Sequence, residues 1–334
     1  MDLTTVADDL AVFHDGVVVH RFEGLEPGRD QELLGRTVRT LARPEGELLC
    51  RFTTVNDVHF GEEEAGRIDD EPLGPIQRPD PGEPPFPETM NRAAVAEMVA
   101  IAPAAVIVKG DLTADGTDEE FEAFESCYRS AFGDRLAVVR GNHDSYRGQN
   151  LYAGDARIDL PGVTVALIDT AIPEHATGRI TPATLEFLDE LAASADRPVI
   201  VMGHHQQWVG SHRAADYFGI NPDDSDALTE LVARRRSIVA YTAGHTHRHR
   251  VRRLAAADDV PSVEVGCVKD FPGTWAEYRV YEGGIMQVVH RVSSPEALAW
   301  SERCRHLYSD FGVDYESYAL GDLEERCFVI PPRR

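Results

Sequence analysis

Lysine is almost missing from this chain. Two of its 33 basic residues are lysine, Lys109 and Lys269, and the rest are arginine. Coding bias is the simplest reading of that scarcity. Positive charge as a whole is also in short supply, with 57 acidic residues and a net charge of −24. Nucleic-acid binding relies on basic surface to displace counterions, so this balance argues against a nucleic-acid polymer as substrate or partner. No apolar run approaches the roughly 18–20 residues that a bilayer crossing needs. The opening Met1-Asp2-Leu3-Thr4-Thr5 has neither a basic n-region nor an apolar h-region, so no secretory signal is expected. Five cysteines (Cys50, Cys127, Cys267, Cys304 and Cys327) are scattered, odd in number and without a Cys-x-x-Cys pair. That usage suits a reducing compartment rather than a disulfide framework, and the expected location is cytoplasmic.

At 334 residues, 43% of them apolar, the chain can bury a substantial core. Residues 10–22 form two β-prone runs around Asp15-Gly16, a hairpin signal. With a turn at Leu25-Glu26-Pro27-Gly28 and a strand over 37–41, residues 1–46 read as a small β-rich appendage. From residue 47 the pattern alternates strand and helix, the mark of an α/β fold. Residues 69–88 hold seven prolines, which excludes regular helix or central strand and suggests a lid or binding loop. Thr117-Asp118-Glu119-Glu120 is a capping box, and Phe121, Phe124, Tyr128 and Phe132 then line one helical face as core. Helices are expected over 91–101, 182–191 and 226–236. Two closing strands fall within 277–292, and a last helix within 295–308. The main domain is placed at 47–292, followed by a C-terminal helical and aromatic extension over 293–334.

Five strand-like runs end in turns rich in metal-ligand side chains. They lead into Asp57-Val58-His59, Gly110-Asp111, Gly141-Asn142-His143-Asp144, Gly203-His204-His205 and Gly244-His245-Thr246-His247. In open α/β sheets the crevice beyond the strand C-termini is where sites form, so residues distant in sequence can converge there. Carboxylate, imidazole and amide oxygen together suit borderline divalent ions such as Mn, Fe or Zn. No cysteine joins the set, which argues against a structural zinc site.

The ordered set from Phe52 to His247 resembles the calcineurin-like metallophosphoesterase superfamily. The Asp-x-His and Gly-His-Thr-His variants look closest to its class III cyclic-nucleotide and glycerophosphodiester phosphodiesterases. The resemblance implies a four-layer α/β/β/α sandwich and a dinuclear centre. It assigns Asp57, His59 and His247 to one divalent ion, Asn142, His204 and His245 to the second, and Asp111 as the bridge. A metal-bridging hydroxide would then attack a small phosphate ester in line. His143 would stabilise the phosphoryl or leaving-group oxygen, oriented by Asp144, and Asn56 and Asp115 are candidates to support the ligands. The purple acid phosphatases carry a tyrosine three residues after the bridging Asp, where this chain has Ala114, so a ferric-tyrosinate site is not expected. The usual His-x-Pro of the fourth motif is here His204-His205-Gln206-Gln207. His204 is assigned by position, with His205 the alternative.

The other histidines (His14, His20, His175, His212, His249, His290 and His306) read as structural or surface residues, His249 as a basic loop residue. The runs Arg234 to Arg236 and Arg248 to Arg253 read as helix-end and surface charge before phosphate-binding patches. Tyr308, Phe311, Tyr315 and Tyr318 read as packing, with cleft cover or a homodimer contact as alternatives. Hydrolysis of a small phosphodiester is the leading function. A phosphomonoesterase is the catalytic alternative, and a metal-binding scaffold the non-catalytic one.

Overall fold

A computed structural model describes residues 1–68, 71–210 and 217–333; His212 lies outside them. Two six-stranded sheets form the body. In spatial order the first is Leu136–Val139, Val106–Lys109, Leu48–Val55, Thr274–Tyr281, Gly284–Arg291 and Phe328–Ile330. The second is Ala156–Leu160, Val163–Leu167, Val199–Met202, Ile238–Ala243, Val260–Glu264 and Arg250–Leu254. Three neighbouring strands of the first sheet run parallel, as do four of the second. Their C-terminal ends carry the five ligand-bearing turns.

The layering follows from side-chain alternation, since successive residues of a strand face opposite sides. Phe52, Ile107 and Val139 of the first sheet meet Val165, Leu167, Ile200 and Met202 of the second in a core between the sheets. Their neighbours Val55, Val106 and Val108 face outward onto the helices Phe86–Ala100 and Pro295–Arg303. Ala166, Val199 and Val201 face outward onto Pro182–Ser194 and Pro222–Arg234. The architecture is therefore helix, sheet, sheet, helix, the expected four-layer sandwich.

Residues 10–22 make the expected hairpin, which joins Asp2–Val6 in a three-stranded antiparallel sheet. That sheet packs Leu10 and Val12 on Met286 and Val288 of the first sheet. A buried ionic cluster ties it down. Arg279 donates to Asp8 at 2.6 Å and Asp9 at 2.7 Å, and its Nε lies 3.1 Å from Glu277. The capping box at Thr117 forms as expected, and Phe121, Phe124, Tyr128 and Phe132 are buried.

Four readings are corrected by the fold. The proline-rich stretch is not wholly irregular: Glu71–Gln77 pairs with Ala65–Ile68 in a two-stranded ribbon outside the main sheets. The following helix starts at Phe86, with proline tolerated in its first turn. The helix at Pro295–Arg303 is followed by Tyr315–Leu320, Leu323–Arg326 and the edge strand Phe328–Ile330. The edge strands Ala156–Leu160 and Arg250–Leu254 escaped notice because charged edges lack a clean apolar alternation. Asp8→Ala should break the buried Arg279 pairing and cost about 3–5 kcal/mol. A fall in the urea midpoint with unchanged slope would confirm it, and an unshifted midpoint would refute it.

Candidate metal centre

The ligand turns adopt backbone that ordinary residues avoid. Asp57, His59, Asp111, His245 and His247 all have positive φ, between 47° and 68°, a region costly for residues with a Cβ. Gly110 has φ 85°, and a Cβ there would lie 2.5 Å from His204 Nδ1. A Cβ on Gly141 would collide with Asp111. These glycines let the first-sheet turns and His204 close on one another.

All seven proposed ligands come together. Ligand atoms of Asp57, His59 and His247 lie within 4.8 Å of one another, as do those of Asp57, Asp111 and His204. The Asp111 carboxylate stands 3.5 Å from His59 Nε2 and 3.1 Å from His204 Nε2. Asn142 Oδ1 is 3.1 Å from His204 Nε2, and its amide donates to Tyr146 at 2.6 Å. His204 Nδ1 donates to the Lys109 carbonyl at 2.8 Å, which leaves Nε2 available to a metal. His205 instead meets Thr170 through Nδ1 at 2.8 Å, and its Nε2 groups with His204 and His245. The contacts to Asp111 and Asn142 favour His204 over His205.

Burial pushes His59, His245 and His247 well below the ordinary histidine range, so these rings are neutral, the form that binds metal. Burial would also lower His204, but Asp111 beside it outweighs that and lifts it to about 9. Burial raises Asp57 to about 6. Burial acts the same way on Asp111, yet His204 and His143 hold it well below the usual carboxylate range. Nε2 of His59 and of His245 are buried without a hydrogen-bond partner. The His59 nitrogen stands 3.5 Å from the Asp111 carboxylate and His245 groups with His204 and His205, two donor sets that fit a pair of cations.

His143 sits beside this cluster, its ring 4.5 Å from that of His59. Asp144 does not orient it. The Asp144 carboxylate is taken up by Leu112 N and Thr113 N at 2.9 Å and by Thr113 Oγ1 and Gly141 N at 2.7 Å. His143 Nδ1 donates to the Ala114 carbonyl at 2.6 Å. Asp144 therefore staples the Asp111 turn to the Asn142–His143 turn and acts on His143 only through the backbone.

The supporting residues were largely missed from sequence. Asn56 does hold Asp57 through its amide, but Asp115 is exposed and pairs with Arg147. Glu62 lies 3.4 Å from His59 Nδ1 and accepts two bonds from Lys269 at 2.5 and 2.6 Å. Asp270 stands 3.9 Å from His247 Nδ1. Burial works against the charge on Lys269, but Glu62 and Asp270 prevail and raise its pKa. Lys109 is buried and donates to the Ala243 carbonyl at 3.0 Å. Both lysines of the chain thus support this site, so their scarcity was the available signal.

Several structural readings hold. His14 and His290 are buried and bonded to Thr4 and Glu277, and the arginines at 234–236 pair with Asp189 and Asp258. Arg248 and Arg252 both bind Glu264. His249 is no loop cation: it is buried and bonded to Gly266 and Thr274.

Above the ligands lies a cleft of about 370 Å³. Tyr315 belongs to the core and Tyr308 packs against it, as plain packing predicts, and both also line the cleft with Phe311 and Tyr318. No helix among the described residues is long and apolar enough to cross a membrane.

The profile of the calcineurin-like phosphoesterase family matches residues 50–249. This chain belongs to that family. It is 23% identical over 171 residues to a Psychrobacter sp. (strain PRwf-1) protein named "probable cyclic nucleotide phosphodiesterase". That match covers 44% of this chain and 47% of the relative, so about half of the curated relative's length is spanned. A dimetal phosphatase from Danio rerio superposes with a TM-score of 0.56 at 14% identity, over 74% of this chain and 98% of that one. The family's fold is thus shared, and the C-terminal aromatic wall lies beyond the family segment.

Asp144→Ala should strip the acceptor from three backbone donors and one hydroxyl. Hydrogen bonds to a charged group contribute about 1.5–3 kcal/mol each, so the melting temperature should fall sharply and Mn²⁺ stoichiometry with it. A variant with wild-type melting and two bound ions would remove the staple role. Glu62→Ala should weaken Mn²⁺ binding roughly 10–100-fold, read by calorimetric titration. Unchanged affinity would show that Glu62 does not support His59.

Proposed function

We propose that this protein is a dinuclear-metal-dependent hydrolase of small phosphodiesters. The observation that carries the reading is the position of Asp111. Its carboxylate lies between His59 and His204, at 3.5 and 3.1 Å, with oxygen and imidazole donors on either side. Asp57, His59 and His247 would hold one divalent ion, Asn142, His204 and His245 the other, and Asp111 both. The mixture of oxygen and nitrogen donors suits Mn, Fe or Zn. Two such ions, when bound, would supply a reactive water at neutral pH and polarise the phosphoryl oxygens.

The chain's own residues do the rest. His143 lines the cleft, and with Nδ1 committed to Ala114 its Nε2 is the nitrogen left for substrate. In the doubly protonated ring Nε2 carries the second N–H, which it donates to the phosphoryl or leaving-group oxygen as charge develops. Asp144 holds the turn that carries His143 and Asn142 against Asp111. Lys269, charged and lining the cleft, adds a cation beside the anionic ester. The name of the Psychrobacter relative supports a diester. The name of the Danio rerio structure keeps a monoester as the alternative outcome.

Hydrolysis of bis-p-nitrophenyl phosphate and p-nitrophenyl phosphate by Mn²⁺-loaded protein decides between them. Chelator-sensitive preference for the diester is expected. Preference for the monoester would make the enzyme a phosphatase, and no turnover of either with metal bound would make it a scaffold. His143→Ala should keep both ions and lose roughly 10²–10⁴-fold in kcat. Asn142→Ala should lower metal content and turnover together. Full turnover in His143→Ala would overturn the role given to that ring.

A further inference from the structure

The cleft is built from two unlike halves. Its floor holds His59, Asp111, Asn142, His143, His245 and His247. Facing them is a wall that includes Leu73, Phe218, Phe311, Val313 and Tyr318. Phe218 and Phe311 are the exposed phenylalanines among the described residues, at 50% and 71%, and both line this cleft. Single exposed apolar side chains are ordinary on a protein surface. Several converging on one concave site mark a place where a ligand supplies the missing contact.

The wall is held in place rather than loosely draped. Phe311 ends a short turn flanked by Tyr308 and Gly312, both left-handed at φ 62° and 78°. Asp310 in that turn lies against Gly74 of the ribbon, so two separate segments brace each other over the cleft. Tyr318 is anchored by its hydroxyl to the Thr246 carbonyl at 3.0 Å and lies under the Arg248 guanidinium at 5.1 Å. Phe218 stacks on the His245 ring with centroids 4.1 Å apart at 26°. Aromatic side chains therefore lie directly against the ligand-bearing segment at His245 and Thr246.

We propose that this wall is a specificity subsite for a flat aromatic ring carried by the substrate alcohol, an aryl or nucleobase-bearing phosphodiester rather than a glycerol one. The inference rests on the two-metal reading above, which places the phosphoryl group on the floor. A polyol offers no π-face to these rings, whereas an aromatic group stacks on them. Residues 308–318, which supply most of the wall, lie outside the family segment that ends at residue 249. The preference would thus be set by residues outside the segment that the family model matches.

Calorimetric titration of the Mn²⁺-loaded protein with phenylphosphonate and with methylphosphonate tests it without turnover. Phenylphosphonate should bind about tenfold more tightly, the order of one stacking contact. That ratio should collapse toward one in Phe311→Ala and persist in Phe311→Trp. Equal wild-type affinities, or an undiminished ratio in Phe311→Ala, would overturn the subsite while Mn²⁺-dependent phosphonate binding left the two-metal reading standing. If neither phosphonate binds the loaded protein, the two-metal reading falls and the subsite falls with it.

Discussion

The site depends on one cross-tie between the two sheets. His204 leaves the second sheet and donates to the carbonyl of Lys109 in the first, while the Lys109 ammonium donates back to Ala243 in the second. Lys109 is fully buried, and burial draws its pKa down to about 7 against the pull of Asp57. A buried ammonium is expensive unless it is hydrogen-bonded. Here it is bonded to the Ala243 carbonyl and ties a strand end of one sheet to a strand end of the other. Three ligand turns belong to one sheet and two to the other, and the tie acts together with the His245 N–H on Asp57 and the apolar core between the sheets to bring them to one centre.

Within that frame three of the imidazoles are kept neutral, whereas His204, held protonated beside Asp111, would have to give up a proton to a cation. Desolvation strips charge from His59, His245 and His247, while Asp111 stays ionised between imidazoles. The positive-φ turn at Asp111 is held by the Asp144 carboxylate and the tight Gly110–Gly141 contact, the Asp57–His59 turn by the Gly110 and Asp111 carbonyls, and the His245 turn by its N–H on the Asp57 carboxylate. Outside the ligands, Glu62, Lys269 and Asp270 form a charged rim that reaches both His59 and His247. A metal centre of this type owes its ligand orientation to such partners as much as to the ligands.

The parallel core strands were legible because they are short apolar runs bounded by glycine, and Val106–Lys109 and Val199–Met202 are buried along their whole length. Helix starts were legible where caps and prolines marked them, as at Thr117 and at Thr181-Pro182. Edge strands were not, since Arg250–Leu254 and Ala156–Leu160 carry charge on faces left open to water. The ribbon at Glu71–Gln77 was hidden by its prolines, which are compatible with a strand only at an edge. Asp144 was misread for a related reason. Its place beside His143 in sequence suggested a side-chain contact that the turn geometry denies.

The sequence by itself determined which candidate ligands stand at five strand ends and in what order, and their resemblance to a known family supplied the proposed assignment of each. It also determined the α/β class through the alternation of strands and helices. Tertiary structure alone decided which partners hold those ligands, because Glu62, Lys109, Lys269 and Asp270 reach them across the fold without a fixed spacing. It decided that His204 rather than His205 faces Asp111, a choice between adjacent residues that only the chain's direction at Gly203 settles. And it decided that the aromatic tail forms a wall of the cleft, since nothing in residues 308–318 specifies what they will pack against until the chain has closed.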